Sequence, residues 1–241
     1  MKELSVNAPL FSFLEIPAIM RRFLTLPPMP ISLPAYDTKI PRKYSARTIE
    51  HKVENKLALQ DDIGWIAEPK QPIACIMTGM TDALGGALME ETILGMLELP
   101  VGLLIRGRGS QKYGALFTKL ASQYKHKVKI LPDDDVATRK MLAASDIALF
   151  FSVPTEEDRE MALRYGVVPV SREAAGLEDY NPVQETGNAF LFEQPTKWQC
   201  FASLVRALET FKFPYDWRTI QRHAMESAHA PDGESSESAA V

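Results

Sequence analysis

Between residues 72 and 171, five short apolar runs alternate with stretches of helical periodicity, and this alternation limits the chain to very few architectures. The runs are residues 72–78 (PIACIMT), 101–107 (VGLLIRG), 127–131 (KVKIL), 146–152 (DIALFFS) and 167–171 (VVPVS), and residues 189–192 offer a last short one. They are apolar and β-branched almost throughout, which is the pattern of strands buried on both faces. Between them lie stretches with helical signals. Ser45 can cap a helix in which Ile49, Val53 and Leu57 recur at four-residue spacing, and Gly64 can end it. Residues 82–99 read as a helix with Leu84, Leu88, Leu94 and Leu97 toward one side. Residues 111–124, 136–144 and 156–165 follow, the last closed by Gly166, and residues 196–211 and 215–227 form two final helices. Strands joined by helical crossovers run parallel, and right-handed crossovers give a doubly wound, Rossmann-like α/β domain. Ligands in such sheets bind beyond the C-terminal ends of the strands. Here those ends are residues 78–86, 107–110, 131–135, 152–157 and 171–176.

The flanks differ from this body. Residues 1–43 hold seven of the 17 prolines, a density that prevents a long helix or a central strand. Phe11, Phe13, Leu14, Ile19, Met20, Phe23 and Leu24 are still apolar. The segment reads either as an extended arm on a surface, with one short helix near residues 16–24, or as a disordered extension. Residues 228–241 are small, polar and acidic and are expected to be a disordered tail. The expected organisation is therefore an arm at 1–43, an α/β domain at 44–227 and a tail at 228–241.

Charge and cysteine usage exclude several functions. Lys plus Arg is 27 and Asp plus Glu is 31. The excess of acid lies in Glu226, Asp232, Glu234 and Glu237, so the body is near neutral and lacks the footprint of a non-specific nucleic-acid binder. No run of apolar residues is long enough for a membrane span. Glu15 and Pro17 interrupt the apolar N-terminus, so no signal peptide is read. Cys75 and Cys200 fall in apolar segments and are expected to be buried free thiols in a cytoplasmic protein. His51, His126, His223 and His229 have no metal-ligand spacing, so neither metal nor cofactor is expected. His126, among Lys125, Lys127 and Lys129, reads as a surface residue, and Trp198 as core or half-buried.

A series of short motifs carries a family resemblance. Residues 44–64 hold Lys52, Asn55, Lys56, Leu59 and Gln60 in a Lys-x-x-Asn-Lys-x-x-Leu-Gln spacing. Ala144-Ser145-Asp146-Ile147, Ala162-Leu163-Arg164-Tyr165-Gly166 with Pro169-Val170, Ala175-Gly176-Leu177-Glu178-Asp179, Gly187 with Phe190 and Phe192, and Gln221-Arg222 with Ala224-Met225 follow in order. The series resembles the C-terminal domain of bacterial glycogen and starch synthases over roughly residues 36–227. The resemblance implies one half of a two-domain GT-B glycosyltransferase, which moves glucose from ADP-glucose or UDP-glucose onto an α-1,4-glucan. The family's donor sits mainly on this half. The N-terminal domain contributes much of the acceptor site and would here have to come from a protein partner.

The departures fall on the family's chemical residues. Its Ser-Arg-Leu-x-x-Gln-Lys-Gly loop, whose Arg and Lys neutralise the leaving diphosphate, corresponds to residues 78–85, where Gly79 and Leu84 replace both cations and Asp82 adds a negative charge. Its Glu-Pro-x-Gly-Leu, whose Glu engages the sugar, meets Val153-Pro154-Thr155-Glu156-Glu157. There Glu156 or Glu157 either stands in for the Glu or is an exposed acid in a first helical turn. The Gly-Gly pair is reduced to Ala175-Gly176. Asp133, Asp134 and Asp135 occupy an aromatic position, as a solvated loop or a metal site. What survives is Gly107-Arg108-Gly109-Ser110, whose amides at a helix N-terminus could hold an anion, or which is simply a tight turn. Arg106 and Arg108 add positive charge.

The resemblance thus assigns no catalytic residue. Gly107, Arg108, Gly109, Glu156 and Gly176 are candidate nucleotide-sugar contacts, and Gly79 and Leu84 are lost phosphate-binding positions. The expected function is a non-catalytic regulatory, scaffolding or glucan-associated protein. Its alternatives are the donor-binding half of a split transferase and a nucleotide sensor.

Overall fold

A computed structural model describes residues 33–228. The helix near residues 16–24 and the acidic tail lie outside the described residues. Each apolar run forms a strand, usually trimmed by a residue or two at its ends: β1 (Ile73–Ile76), β2 (Gly102–Arg106), β3 (Val128–Leu131), β4 (Ile147–Leu149), β5 (Val168–Arg172) and β6 (Phe190–Phe192). All pair in parallel, in the order β3-β2-β1-β4-β5-β6, which is the doubly wound arrangement expected. Cys75 in β1 stands opposite Leu104 in β2 and Ala148 in β4. The chain reverses direction of winding between β1 and β4, so the crevice of such a sheet lies beyond their C-terminal ends.

The helices are α1 (Lys52–Asp62), α2 (Gly86–Glu98), α3 (Gln111–Gln123), α4 (Asp135–Ala144), α5 (Glu156–Arg164), α6 (Lys197–Phe211) and α7 (Pro214–Ser227). Short 3-10 turns precede α1 (Ala46–His51) and α2 (Asp82–Leu84). Alternate residues of β1 feed two cores. Ala74 and Ile76 meet α2, α3 and α6 on one face, and Ile73 and Cys75, with Met77 just beyond the strand, meet α1, α4 and α5 on the other. Cys75 and Cys200 are both buried free thiols, as expected. In α2 the buried face is Leu88, Met89, Ile93, Met96 and Leu97, whereas Leu94 is 59% exposed and Leu84 is only half-buried. The expectation for Leu94 fails because six residues from Leu88 turn the helix by roughly 240° net, which brings it round to solvent.

The Lys-x-x-Asn-Lys helix has a structural task. Lys56 Nζ lies 2.6 Å from Asp146 Oδ2, with both side chains almost wholly buried, and also donates to the Gln71 carbonyl at 3.1 Å. Asp146 Oδ2 in turn accepts from the Ile73 amide at 2.8 Å, which fixes the start of β1. Lys52 Nζ donates to the carbonyls of Leu142 at 2.7 Å and Tyr165 at 2.8 Å, and to the Tyr44 hydroxyl at 3.3 Å. Asn55 exchanges two 2.8 Å hydrogen bonds with the backbone of Arg42. Asp37, also buried, accepts from the Tyr165 hydroxyl and lies 3.6 Å from Arg139. These groups are spent on backbone ends and on each other.

Burial lowers the Lys52 ammonium to about 7. From pH 7 upward the unfolded chain holds a proton at this site that the folded chain sheds, so stability rises with pH, by at most about 1.4 kcal/mol per unit. Burial pushes both thiols up to about 12. Above about pH 8.5, where an unfolded thiol ionises, the folded chain instead retains protons and the trend turns down. Urea midpoints at pH 6.5, 8 and 9.5 should therefore pass through a maximum, and Lys52→Met should remove the rising limb. A flat profile between pH 6.5 and 8 in the unsubstituted protein would contradict the assignment.

Candidate functional site

At the C-terminal edge of the sheet, the loops after β1 and β2 form a single unit. The Met80 amide donates to the Arg108 carbonyl at 3.3 Å, and the Ser110 amide donates to the Met80 carbonyl at 2.9 Å. Met80 and Gly109 thus pair like strand residues. Gly109 has φ 130, a conformation open to glycine, and a Cβ there would lie 2.4 Å from the Met80 carbonyl oxygen. The Gly107 amide is tied to the Leu131 carbonyl at 2.8 Å. The glycine turn is therefore held on both sides by neighbouring backbone.

Gly79 faces a side chain rather than backbone. It is not among the positive-φ residues, yet a Cβ there would lie 2.9 Å from Arg108 Cγ and 3.3 Å from Cδ. The Arg108 side chain lies directly across it. Three residues on, the Asp82 carboxylate accepts from the Tyr113 hydroxyl at 2.5 Å and from Lys112 Nζ at 3.3 Å. These two donors, Tyr113 first, hold the Asp82 carboxyl below its ordinary range. Lys112 reaches Glu90 as well, at 3.3 Å. Its ammonium is held firmly in the charged form, first by Tyr113 and then by the two acids, against some loss of solvation.

The three aspartates at the start of α4 do not converge. Asp133 lies 2.6 Å from Arg106 and 4.0 Å from Arg108, Asp134 caps α4 by accepting from the Ala137 amide at 2.8 Å, and Asp135 pairs with Arg139 at 2.7 Å. Among the described residues no group of His, Cys, Asp and Glu is arranged to hold a metal ion.

On the other side of the crevice, Thr155 caps α5 by accepting from the Asp158 amide at 3.1 Å, which puts Glu156 and Glu157 exposed in the first turn. Thr78 donates to Asp158 at 3.3 Å and ties the β1 loop to α5. Gly176, at φ 75, lies beside Arg159, whose Nε is 3.9 Å from where a Cβ would be. Its carbonyl accepts from Asn188 Nδ2 at 2.9 Å. Among the described residues, the buried Nε atoms of Arg159 and Arg172 have no hydrogen-bond acceptor.

The structure thus brings Gly79, Gly107, Arg108 and Gly109 together, places Gly176 beside Arg159, and leaves Glu156 apart. Asp158, Arg159 and Asn188 were not singled out from the sequence, because their partners are distant along the chain. A cavity of about 470 Å³ opens beside the glycine turn, against Arg106, Arg108, Ser110, Phe117, Thr118 and Ile130, with no acid in its wall. Larger cavities of about 740 and 600 Å³ open around Pro72 and Phe211. They lie toward the N-terminal ends of the strands, the end this architecture does not use for ligands. Trp198 does not join the core as expected. It is 73% exposed with Lys197 Nζ 5.1 Å from its ring, because Cys200, Ser203 and Leu204 form the buried face of α6. Among the described residues no helix is long and apolar enough to cross a membrane.

No protein-family model matches the chain. Glycogen synthase 1 of Synechocystis sp. is 28% identical over 200 residues, and the glycogen synthase of Clostridium perfringens 34% over 201. Each alignment takes in 80% of this chain and 42% of the relative, so the chain spans about two fifths of the length of the curated relatives it matches. Among solved structures, the catalytic domain of starch synthase IV from Arabidopsis thaliana, bound to ADP and acarbose, superposes with a TM-score of 0.70 at 22% identity, over 80% of this chain and 42% of that one. Anabaena HepE in complex with UDP and glucose gives 0.55 at 14%, over 73% and 47%. The C-terminal domain of the Francisella tularensis glycosyl transferase LpcC gives 0.55 at 12%, over 72% and 91%. These superpositions show that the chain has the Rossmann-like fold of one half of the GT-B architecture.

Proposed function

We propose that this chain, homologous over four fifths of its length to the bacterial glycogen synthases, has lost glucosyl transfer and serves as a non-catalytic regulatory, scaffolding or glucan-associated protein. The observation that carries this reading is the β1 loop. Gly79 and Leu84 stand where the family resemblance puts the two cations that meet the leaving diphosphate, and Asp82 between them is held as a carboxylate. Departure of a diphosphate needs fixed positive charge that is already in place in the transition state. Loss of one such group typically costs about 10²–10³ in rate, and two losses need not add. The sugar side points the same way. Aligned on its proline, the Glu-Pro pair of the family falls on Val153-Pro154, and Val153 is exposed and apolar. The ligands this reading retains are ADP-glucose, UDP-glucose or an α-glucan, and the neighbour it allows is a protein partner.

Purified protein given ADP-glucose or UDP-glucose with a maltooligosaccharide should incorporate no glucose above the buffer rate. Turnover by the purified chain would end the proposal. The second reading, the donor-binding half of a split transferase, is favoured by one observation, the cations Arg106 and Arg108 kept at the glycine turn. It requires activity that appears only on mixing with a chain carrying the N-terminal domain.

A further inference from the structure

The cavity of about 600 Å³ near the N-terminal ends of the strands opens between α1, with the turn before it, and the α6–α7 junction. Ile49, Val53, Phe211 and Trp217 give it an apolar wall. Its size is that of a small-molecule site. The rule that puts ligands beyond the C-terminal strand ends describes the crevice made where the winding reverses, and does not govern a cavity formed between helices. We infer that this cavity binds a small amphipathic carboxylate, with its aromatic body against Phe211 and Trp217 and its acid group toward Lys70 and Arg218. The site is separate from the loops after β1 and β2, and it stands apart from the question of glucosyl transfer.

Trp217 is the first support. It is 4% exposed, and its Nε1, a donor only, has no acceptor among the described residues. A buried indole N–H usually has one. A carboxylate oxygen is such an acceptor, whereas an ammonium group or a hydrocarbon is not. Charge is the second. Of the two acids in the wall, Asp146 is matched by Lys56 at 2.6 Å and Glu50 is exposed. Against them stand Lys70, Lys212 and Arg218, all exposed. Lys212 is paired with Glu209 at 2.6 Å. Arg218 spends only its Nε, on the Pro214 carbonyl at 2.9 Å, and the Lys70 side chain has no ion pair among the described residues. Both keep their charge for an anion. The rings are the third. Phe211 and Trp217 meet edge to face, with centroids 5.3 Å apart at 74°, and Lys56 Nζ lies 5.0 Å from the Phe211 ring. Two rings fixed at that angle make a corner that suits a third, flat ring.

Nuclear magnetic resonance of the full chain tests this. The chain has three tryptophans and so three indole N–H signals, and Trp217→Phe identifies the signal of Trp217 by removing it. Titration with phenylpropionate is expected to move that signal to saturation and to leave those of Trp65 and Trp198 in place. Phenylpropanamide has the same body and an acceptor oxygen but no charge, and should bind about 10-fold more weakly. Lys70→Gln combined with Arg218→Gln should weaken the acid about 10-fold and leave the amide unchanged. Both side chains are exposed, so unfolding of this double variant without ligand should match the parent. Equal affinity for acid and amide overturns the inference. So does a Trp217 signal that stays in place, or acid binding that the double variant leaves intact. A Trp217 signal that moves with protein concentration and no ligand would mean that another chain fills the cavity, and would overturn it too.

Discussion

Asp146→Ala is expected to cost about 3–5 kcal/mol, because it strands a buried lysine. Lys56 and Asp146 are 5% and 6% exposed, and their 2.6 Å contact is made where neither can turn to water. Removing the carboxylate also deprives the Ile73 amide of its 2.8 Å acceptor, at the first residue of the central strand. For a domain of this size the loss corresponds to a fall in Tm on the order of 10 °C. Asp146→Asn keeps an acceptor for Ile73 but not the charge, and should lie between parent and alanine. Exchanging both partners for apolar residues, as Lys56→Met with Asp146→Leu, should be milder than Asp146→Ala alone, since no charge is left unpaired. Urea denaturation of the four proteins measures the series. A double variant as unstable as the single one would show that the amide contact, not the charge, dominates.

Gly109→Ala is the second large effect. At φ 130 an alanine is strained by about 1–3 kcal/mol before any contact is counted. Its Cβ would then lie 2.4 Å from the Met80 oxygen and 2.6 Å from the Met80 nitrogen, and backbone atoms cannot swing aside as a side-chain end can. The pairing of the two loops must open, and the 2.9 Å bond from the Ser110 amide to Met80 goes with it. Hydrogen exchange at Ser110 should speed up, together with a lower urea midpoint. Gly114→Ala is the control. It lies in the same region, inside α3, with nothing within 4 Å of a new Cβ, and should stabilise by about 0.5–1 kcal/mol. Normal Ser110 protection in Gly109→Ala would mean that the loops are not held by this pair.

The strands were legible because their apolar runs are nearly continuous, and a parallel sheet covered on both faces permits nothing else. The ends of α5 were legible for local reasons: Thr155 caps it, and Gly166, at φ 60, closes it. Leu94 and Trp198 were misplaced because their apolar character was weighed above their spacing: each lies six residues from a buried leucine of its helix, Leu88 and Leu204, and so turns to solvent. The Lys52, Asn55 and Lys56 motif was visible as a pattern, but its purpose was not, since each partner is a backbone group or an acid supplied by another element. The candidate site was legible as a run of residue types and not as an arrangement. Gly79 reads from the sequence as an absent side chain, and only the folded loops show that the side chain of Arg108 lies across it.

The position of β1 also governs how the chain can be built. Among the described residues it is the first strand made, yet it lies inside the sheet, with β2 on one side and β4 on the other. During synthesis β2 and β3 can dock as they emerge, but the opposite edge of Ile73–Ile76 has no neighbour until Ile147–Leu149 leaves the ribosome. For that interval a run of buried-type residues presents open hydrogen-bonding groups along an apolar edge, the kind of surface that captures other chains. The growing chain is therefore most exposed to misassembly between the synthesis of β1 and that of β4, and β4 is the element whose arrival ends that exposure.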